Sequence, residues 1–213
     1  MFKGLMFAVV LSAAALHAQS AKEWELGVVG GYAYAPDLTV KSASASASTG
    51  FKSGLAVGVF AGNDMYRYWS GEANYLYRQS DLKLQNASAS ASFGAHTHLI
   101  TGAFLGHFRP REARFRPFIS FGGGIKVMQA NGRESAAQPL GSLAALTATR
   151  EVLPVGEIGA GVKYQISNRL RLRLQVRDFI SPAPQDVIAP APGASLTGIV
   201  NDFVGTAALS FAW

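Results

Sequence analysis

The chain has 213 residues and no cysteine, which excludes a disulfide framework and a thiolate metal site. Its net charge is +6, and the basic residues do not cluster with aromatic residues on a helix, so nucleic acid is not an expected partner. Hydrophobic residues make up 49% of the chain and charged residues only 15%, and the length suits one β domain.

The start of the chain predicts a secretory signal peptide over residues 1–20. Lys3 precedes an apolar run that ends at Leu16, and small residues follow it. An N-terminal membrane helix is the alternative, but the run is shorter than the roughly 20 residues that span a bilayer. We expect export through the Sec pathway, with cleavage between Ala18 and Ala21.

Eight later segments predict strands, because apolar residues recur in them with a period of two. They are Glu23–Pro36, Phe51–Gly62, Tyr68–Gln79, Phe93–Phe108, Pro117–Met128, Val155–Gln165, Arg169–Phe179 and Val200–Trp213. Their connections alternate between short and long, which is typical of a membrane barrel with both termini on the periplasmic side. In the fourth segment we place Leu99, Thr101, Ala103 and Leu105 on the outer face.

The seventh segment alternates most cleanly between a branched aliphatic face and a face rich in arginine. A lipocalin-like soluble barrel would turn the aliphatic face inward, whereas a membrane barrel turns it toward lipid. The glycines favour the membrane barrel, because a narrow lumen that holds long Arg and Glu side chains needs small neighbours. Six glycines share the charged face: Gly54, Gly58, Gly122, Gly124, Gly159 and Gly161.

Two motifs carry a resemblance to a known family. The chain ends in Ser210-Phe211-Ala212-Trp213, and residues 117–124 read PFISFGGG, similar to a Pro-aromatic strand that ends in glycine. Residues 21–213 thus resemble the small outer-membrane barrels of the OmpA/OmpX type. The resemblance implies an all-β, eight-stranded antiparallel transmembrane β-barrel with an up-and-down meander, without the periplasmic domain of larger OmpA-like proteins.

The same resemblance implies location, partners and role. It places the chain in the cell outer membrane, in contact with lipid and lipopolysaccharide. It makes Phe211 and Trp213 the signal that the barrel-assembly machinery reads, and it implies a structural role in envelope integrity or adhesion. We expect a monomer without enzymatic activity or cofactor. A narrow, porin-like pore or conduit for ions or small hydrophobic compounds is the alternative function.

The inward face predicts an interior charge network. Its members are Glu25, Glu72, Glu157, Asp202, Lys126, Lys163, Arg171, Arg173 and Arg177. Buried charges must be paired, so a ladder of opposite charges would plug the lumen; a gated ion path whose pairs rearrange is the alternative. A three-residue turn, Ile166–Asn168, would set Gln165 opposite Arg169 and predicts a Glu157–Arg177 contact.

Two near-copies of a Ser-Ala repeat, residues 42–48 and 87–92, lie in the first two long connections. We interpret them as low-complexity loops; alternatively, they form small-residue strands above the membrane that pair with each other or with a partner strand. Four basic residues of the long connections are candidates for contact with lipopolysaccharide phosphates: Lys41, Lys83, Arg133 and Arg150.

Catalytic and metal sites have little support in the sequence. The histidines after the signal are His96, His98 and His107, and nothing in the sequence places a serine beside a histidine and an acid. His96 and His98 share a strand face, but no third metal ligand is evident. The Arg109–Arg116 connection, RPREARFR, is short and charged, and we place its arginines on the periplasmic side.

Overall fold

The computed structural model describes residues 23–43, 45–131 and 138–213, so the predicted signal peptide lies outside the described residues. The described residues contain no helix that is long and apolar enough to cross a membrane. They form these strands: β1 (Glu23–Tyr34), β2 (Leu38–Lys41), β3 (Ser46–Phe51), β4 (Gly54–Asp64), β5 (Trp69–Gln79), β6 (Leu82–Gln85), β7 (Ser90–Phe93), β8 (Ala95–His107), β9 (Phe115–Ala130), β10 (Ala144–Leu146), β11 (Arg150–Gln165), β12 (Leu170–Pro182), β13 (Ile188–Pro190), β14 (Ser195–Leu196) and β15 (Ile199–Ala212).

Eight of these strands close into a barrel in the sheet order β1-β15-β12-β11-β9-β8-β5-β4. Each pairs antiparallel with the preceding and following barrel strand, and the first and last pair with each other, for example Val28 with Leu209. Closure leaves no unpaired edge, so every barrel strand has its backbone partners on both sides. The predicted eight-stranded meander is confirmed, with strand ends that differ by a few residues.

The barrel is apolar outside and charged inside. On β12, Leu174 and Val176 are 51% and 59% exposed, whereas Arg173 and Arg177 are 3% and 2% exposed. Successive side chains on a strand point to opposite faces, so this contrast fixes the orientation of the whole strand. The predicted orientation, with leucines outward and arginines inward, is confirmed.

The predicted faces of the fourth barrel strand are wrong. Leu99, Thr101, Ala103 and Leu105 are all buried in β8, and Ile100 and Phe104 face outward instead. In the lumen Leu99 packs with Leu76, and Leu105 packs with Phe118. Because both faces of this strand are largely apolar, hydrophobicity alone did not distinguish them.

The hairpin between β11 and β12 also differs from its predicted register. Gln165 pairs with Arg171 and Gly159 with Arg177, because the turn is longer than three residues. The backbone amides of Ile166 and Ser167 both donate to the Leu170 carbonyl, at 2.9 and 3.1 Å. A shift of two residues preserves the strand faces, so the predicted inward set remains inward.

The four long connections fold into a cap over one end of the barrel. We define the cap as β2, β3, β6, β7, β10, β13, β14 and their turns. Its strands form a five-stranded sheet, β14-β2-β3-β6-β7, and a two-stranded sheet, β10-β13. Val40, Phe51, Leu82, Leu84 and Ile188 are among the buried side chains of a hydrophobic core beneath these sheets.

The Ser-Ala repeats lie in this cap, and their interpretation as loops is wrong. Ser46–Ser48 belongs to β3 and Ser90–Ser92 to β7, and these two strands flank β6. Ala47 is buried in the cap core and Ala91 packs against it, whereas Ser90 and Ser92 are exposed. The strict alternation is therefore a strand pattern, with alanine facing the core and serine facing solvent.

A buried carboxylate ties the last long connection to the barrel. Glu151, at the cap end of β11, accepts hydrogen bonds from the backbone amides of Gln185, Asp186 and Val187 at 3.0, 2.9 and 3.2 Å. These bonds satisfy the charge and hold the segment that leads into β13. The cap is thus fastened to the barrel wall by polar contacts as well as by its core.

Candidate functional site: the charged lumen

All nine residues of the predicted interior charge network lie inside the barrel, each 7% exposed or less. The buried charged side chains also include Asp64, Arg78, Arg116 and the cap anchor Glu151. Among the described residues this gives seven buried basic and six buried acidic side chains, so the buried charges nearly cancel. The charges form three groups along the barrel axis.

The first group lies at the end away from the cap and centres on Glu25. Glu25 Oε2 is 2.7 Å from Lys163 Nζ and 3.4 Å from Arg171 Nη1. The Ser210 hydroxyl donates to Glu25 Oε1 at 2.7 Å. Arg171 also pairs with Glu23 at 2.5 Å, so β12 and β1, which β15 separates in the barrel wall, are linked through the lumen here.

A second carboxylate at this end, Glu72, holds Arg173. The distance between Arg173 Nη2 and Glu72 Oε2 is 2.8 Å, and the Asn74 amide donates to Glu72 Oε1 at 3.1 Å. The Arg173 guanidinium also lies 4.0 Å from the centre of the Phe60 ring. This cation–π contact adds to the ion pair in a desolvated setting, where such contacts are strongest.

The group nearest the cap centres on Asp202. Arg78 and Lys126 both bind its carboxylate, with Lys126 Nζ 2.6 Å from Oδ2. Above them lies Phe51 of the cap core, its ring centre 5.2 Å from Lys126 Nζ and 5.8 Å from the Arg78 guanidinium carbon. An apolar side chain of the cap therefore closes directly over the outermost charges of the lumen.

Glu157 and Arg177 lie between these groups, and the predicted contact between them is absent. Glu157 Oε2 accepts a hydrogen bond from the Thr101 hydroxyl at 2.5 Å. Glu157 Oε1 and Arg177 Nε and Nη1 are buried without a hydrogen-bond partner among the described residues. The register shift explains this, since Arg177 pairs with Gly159 and lies two residues from the predicted position.

Sequence reasoning missed Asp64, Arg78 and Arg116 as members of the network. Asp64 and Arg116 bind each other at 2.8 Å, although we had assigned both to connections. Both strands extend further than predicted, and each residue continues the inward parity of its strand. Asp64 and Arg116 would have been found if the alternating pattern had been continued two residues beyond the last clear position of each strand.

A serine and a histidine also meet in the lumen, a pair that nothing in the sequence indicated. Ser70 Oγ lies 2.5 Å from His107 Nε2, and both residues are buried. A nucleophilic triad needs an acid on the other ring nitrogen, but His107 Nδ1 has no hydrogen-bond partner among the described residues. Asp64, one of the acids at this end, binds Arg116. The pair therefore lacks its orienting group.

His96 and His98 face outward near the cap end of the barrel. Their ring centres are 5.2 Å apart, and the Tyr75 hydroxyl lies 2.9 Å from His98 Nδ1. Gln79, His96, Gln129 and Arg150 are directly opposed across four neighbouring strands, which makes a polar row on the outer wall. Within the described part of the chain, no three His, Cys, Asp or Glu side chains are grouped to hold a metal ion.

The family of the chain follows from its sequence. The family model described as the outer membrane protein beta-barrel domain matches residues 5–182. The chain belongs to this family. As in other members, it resides in the outer membrane, and its apolar outer wall contacts membrane lipid. The expected location and family are confirmed.

Solved structures agree on the fold of this outer-membrane barrel. Neisserial surface protein A is 10% identical with a TM-score of 0.53, covering 90% of this chain and 99% of that one. OprG from Pseudomonas aeruginosa is 10% identical with a TM-score of 0.52, covering 89% and 95%. AlkL, solved in lipid bilayers, is 13% identical with a TM-score of 0.50, covering 92% and 94%. No curated protein sequence matches the chain significantly.

Membership of the family also orients the molecule. Outer-membrane barrels have short periplasmic turns and long outer loops, so the cap lies on the cell surface and the Glu25 group lies at the periplasmic end. At that end, Phe211 and Trp213 face outward with ring centres 6.3 Å apart. Trp213 exchanges backbone hydrogen bonds of 3.0 Å with Trp24, which continues the seam between β15 and β1.

Proposed function

We propose that this outer-membrane barrel has a structural and surface-interaction role, in which the barrel anchors a folded cap at the cell surface. The observation that carries the proposal is the closure of the lumen. Ion pairs lie at both ends of it, around Glu25 and around Asp202, and Phe51 of the cap packs over the second of these groups. Breaking such buried pairs costs several kcal/mol, which opposes a conducting path.

Planar-bilayer recording tests this proposal. We expect purified wild-type protein to give no unitary conductance, and we expect Glu157→Gln to be silent as well, because the Glu25 and Asp202 groups lie on either side of it. A large porin in the same bilayer controls for insertion and detection. Reproducible channel openings in the wild-type protein would overturn the proposal.

A narrow conduit is the second candidate function, and the middle of the lumen is the observation that favours it. Glu157 and Arg177 form no ion pair with each other, and both carry buried atoms that have no hydrogen-bond partner among the described residues. The ion pairs that hold the Glu25 and Asp202 groups have no counterpart between these two residues. If Glu157→Gln conducts while the wild-type protein is silent, the middle level is the gate and the conduit becomes the better account.

The polar row on the outer wall supports contact with lipopolysaccharide. Arg150 is exposed and lies in register with Gln129 and His96, just above the apolar wall. Arginine binds phosphate by charge-assisted hydrogen bonds, and the surface of the outer leaflet is rich in phosphate. We expect Arg150→Gln to retain less lipopolysaccharide on purification than Arg109→Gln, which removes the same charge at the periplasmic end.

The other basic candidates differ in their surroundings. Lys83 Nζ is 2.7 Å from Asp37 Oδ1, so a phosphate would have to compete with this ion pair. Lys41 is exposed on the solvent face of the cap sheet, and Arg133 lies outside the described residues. We therefore assign Lys41 to the surface that meets partners of the cap. Loss of cell adhesion in Lys41→Ser, with normal surface display, would support this assignment.

Four further parts of the proposal rest on the family and on the site. We propose Sec-dependent export, recognition of Phe211 and Trp213 by the barrel-assembly machinery, and a monomer in the membrane. We also propose that the protein is not an enzyme, because no acid of the described chain binds Nδ1 of His107 and the Ser70–His107 pair is buried. Release of acyl chains from lipid A by the wild-type protein but not by Ser70→Ala would contradict this.

A further inference from the structure

A basic cleft lies at the periplasmic mouth of the lumen, beside the Arg109–Arg116 connection. Its charged lining is entirely basic: Arg111, Arg114, Arg116, Lys163 and Arg171, with Gln165 beside them. Its volume is about 10 Å³, which is room for one oxygen-sized group. The cleft is thus shaped to admit one oxygen of an anion whose remainder stays at the mouth.

The acids near the cleft are committed to other contacts. Asp64 binds Arg116 at 2.8 Å, and Glu25 binds Lys163 at 2.7 Å. Glu112, in the same connection, points to Arg67 at 3.7 Å. Arg171 forms an ion pair with Glu23 at 2.5 Å. Four basic side chains of the lining, Arg114, Arg116, Lys163 and Arg171, therefore face three carboxylates behind it. The carboxylates are Glu23, Glu25 and Asp64, so an excess of positive charge remains at the cleft.

One buried side chain in the lining also has unused hydrogen-bond donors. Arg116 is 3% exposed, and its Nε and Nη2 atoms have no hydrogen-bond partner within the part of the chain that the structure describes, although Nη1 binds Asp64. Leaving guanidinium donors buried without an acceptor is costly. An acceptor supplied by a ligand would remove that cost, and no acidic side chain lines the cleft to do so.

We propose that this cleft binds the phosphate group of a periplasmic anion. The phosphate inserts one oxygen toward Arg116, while Arg114 holds the exposed oxygens at the mouth. Arg114 is placed for this by its Nε, which donates to the Gln165 carbonyl at 3.1 Å, and by its guanidinium, which lies 5.1 Å from the centre of the Tyr164 ring. The source of the phosphate is either a soluble molecule or an inner-leaflet lipid headgroup.

Calorimetric titration of the full chain with inorganic phosphate, in phosphatidylcholine nanodiscs, tests the proposal. We expect saturable binding that Arg114→Gln weakens about tenfold, because one charge-assisted hydrogen bond is lost. Arg116→Lys should weaken it similarly, since it keeps the charge opposite Asp64 but removes the guanidinium donors. Arg109→Gln is the matched control, because Arg109 is exposed in the same connection and does not line the cleft.

Heat-modifiable migration on a gel shows whether each variant is folded. Absence of saturable phosphate binding to the wild-type protein would overturn the proposal. An equal loss of affinity with Arg109→Gln would overturn it as well, because diffuse positive charge would then explain the binding. Nanodiscs that also contain phosphatidylglycerol identify the source. Weaker binding of free phosphate in those discs indicates a lipid headgroup in the cleft, and equal binding indicates a soluble anion.

Discussion

Lys163 Nζ lies 2.7 Å from Glu25 Oε2, and this contact joins β11 to β1 across the lumen. The two strands are not neighbours, because β12 and β15 separate them in the barrel wall. The ion pair therefore braces the barrel through its interior, in addition to the hydrogen bonds that run around it. With Arg171 on the same carboxylate, Glu25 is the most heavily shared acid at the periplasmic end.

Replacing Glu25 by Gln should destabilise the barrel strongly. Lys163 and Arg171 would then lose a buried counter-charge, so we expect the free energy of unfolding to fall by about 3 to 5 kcal/mol. Urea unfolding in detergent micelles, followed by tryptophan fluorescence, measures the change. Glu112→Gln is the matched control: its pair with Arg67 is exposed at the rim, so no measurable change is expected. Equal effects of the two substitutions would contradict the bracing role of Glu25.

Glycine on the inner wall should tolerate no side chain where strands and lumen contents approach closely. A Cβ atom at Gly161 would lie 2.5 Å from the Leu174 carbonyl oxygen and 2.7 Å from Phe118 Cζ. We expect Gly161→Ala to lower the free energy of unfolding by about 1 to 3 kcal/mol, measured in the same way. At Gly205 a Cβ would meet nothing within 4 Å, so Gly205→Ala should be neutral or slightly stabilising. The reverse order would contradict the inward assignment of Gly161.

The cap should loosen independently of the barrel when its core is weakened. Leu84 is fully buried in that core, so Leu84→Ala should cost about 2 to 5 kcal/mol of local stability. Hydrogen exchange should then accelerate in β2, β3, β6 and β7 while barrel amides remain protected. Gln85→Ala, its exposed neighbour on the same strand, should leave exchange unchanged. Uniform acceleration in barrel and cap would show that the two do not open separately.

The outer wall should be accessible to oxygen and the cap to water-soluble reagents. The chain has no cysteine, so single cysteines can carry spin labels without background. We expect labels at Leu172 and Leu174 in lipid vesicles to relax faster with oxygen, which concentrates in the bilayer. A label at Lys41 should respond to a nickel chelate instead. Chelate access at Leu174 matching that at Lys41 would refute the orientation of β12.

Much of the barrel could be predicted because successive side chains of a strand alternate between lipid and lumen, so apolar and polar residues alternate in the sequence. In β12 the contrast between Leu174 and Arg173 needs no knowledge of the neighbouring strands. The prediction failed in β8, where Leu99 and Ile100 are equally apolar and only the filling of the lumen decides which one points inward. It failed again in the Ser-Ala repeats, whose composition resembles a linker although Ala47 and Ala91 face a core.

The sequence by itself determined the class of fold, the inward and outward faces of most strands, and the family. These depend on local alternation and on motifs within single strands. Only the tertiary structure decided which charges bind each other, because Glu25 and Lys163 are 138 residues apart and meet through the curvature of a closed wall. It also decided that the long connections form one cap, since their small apolar faces are buried only when all of them pack together.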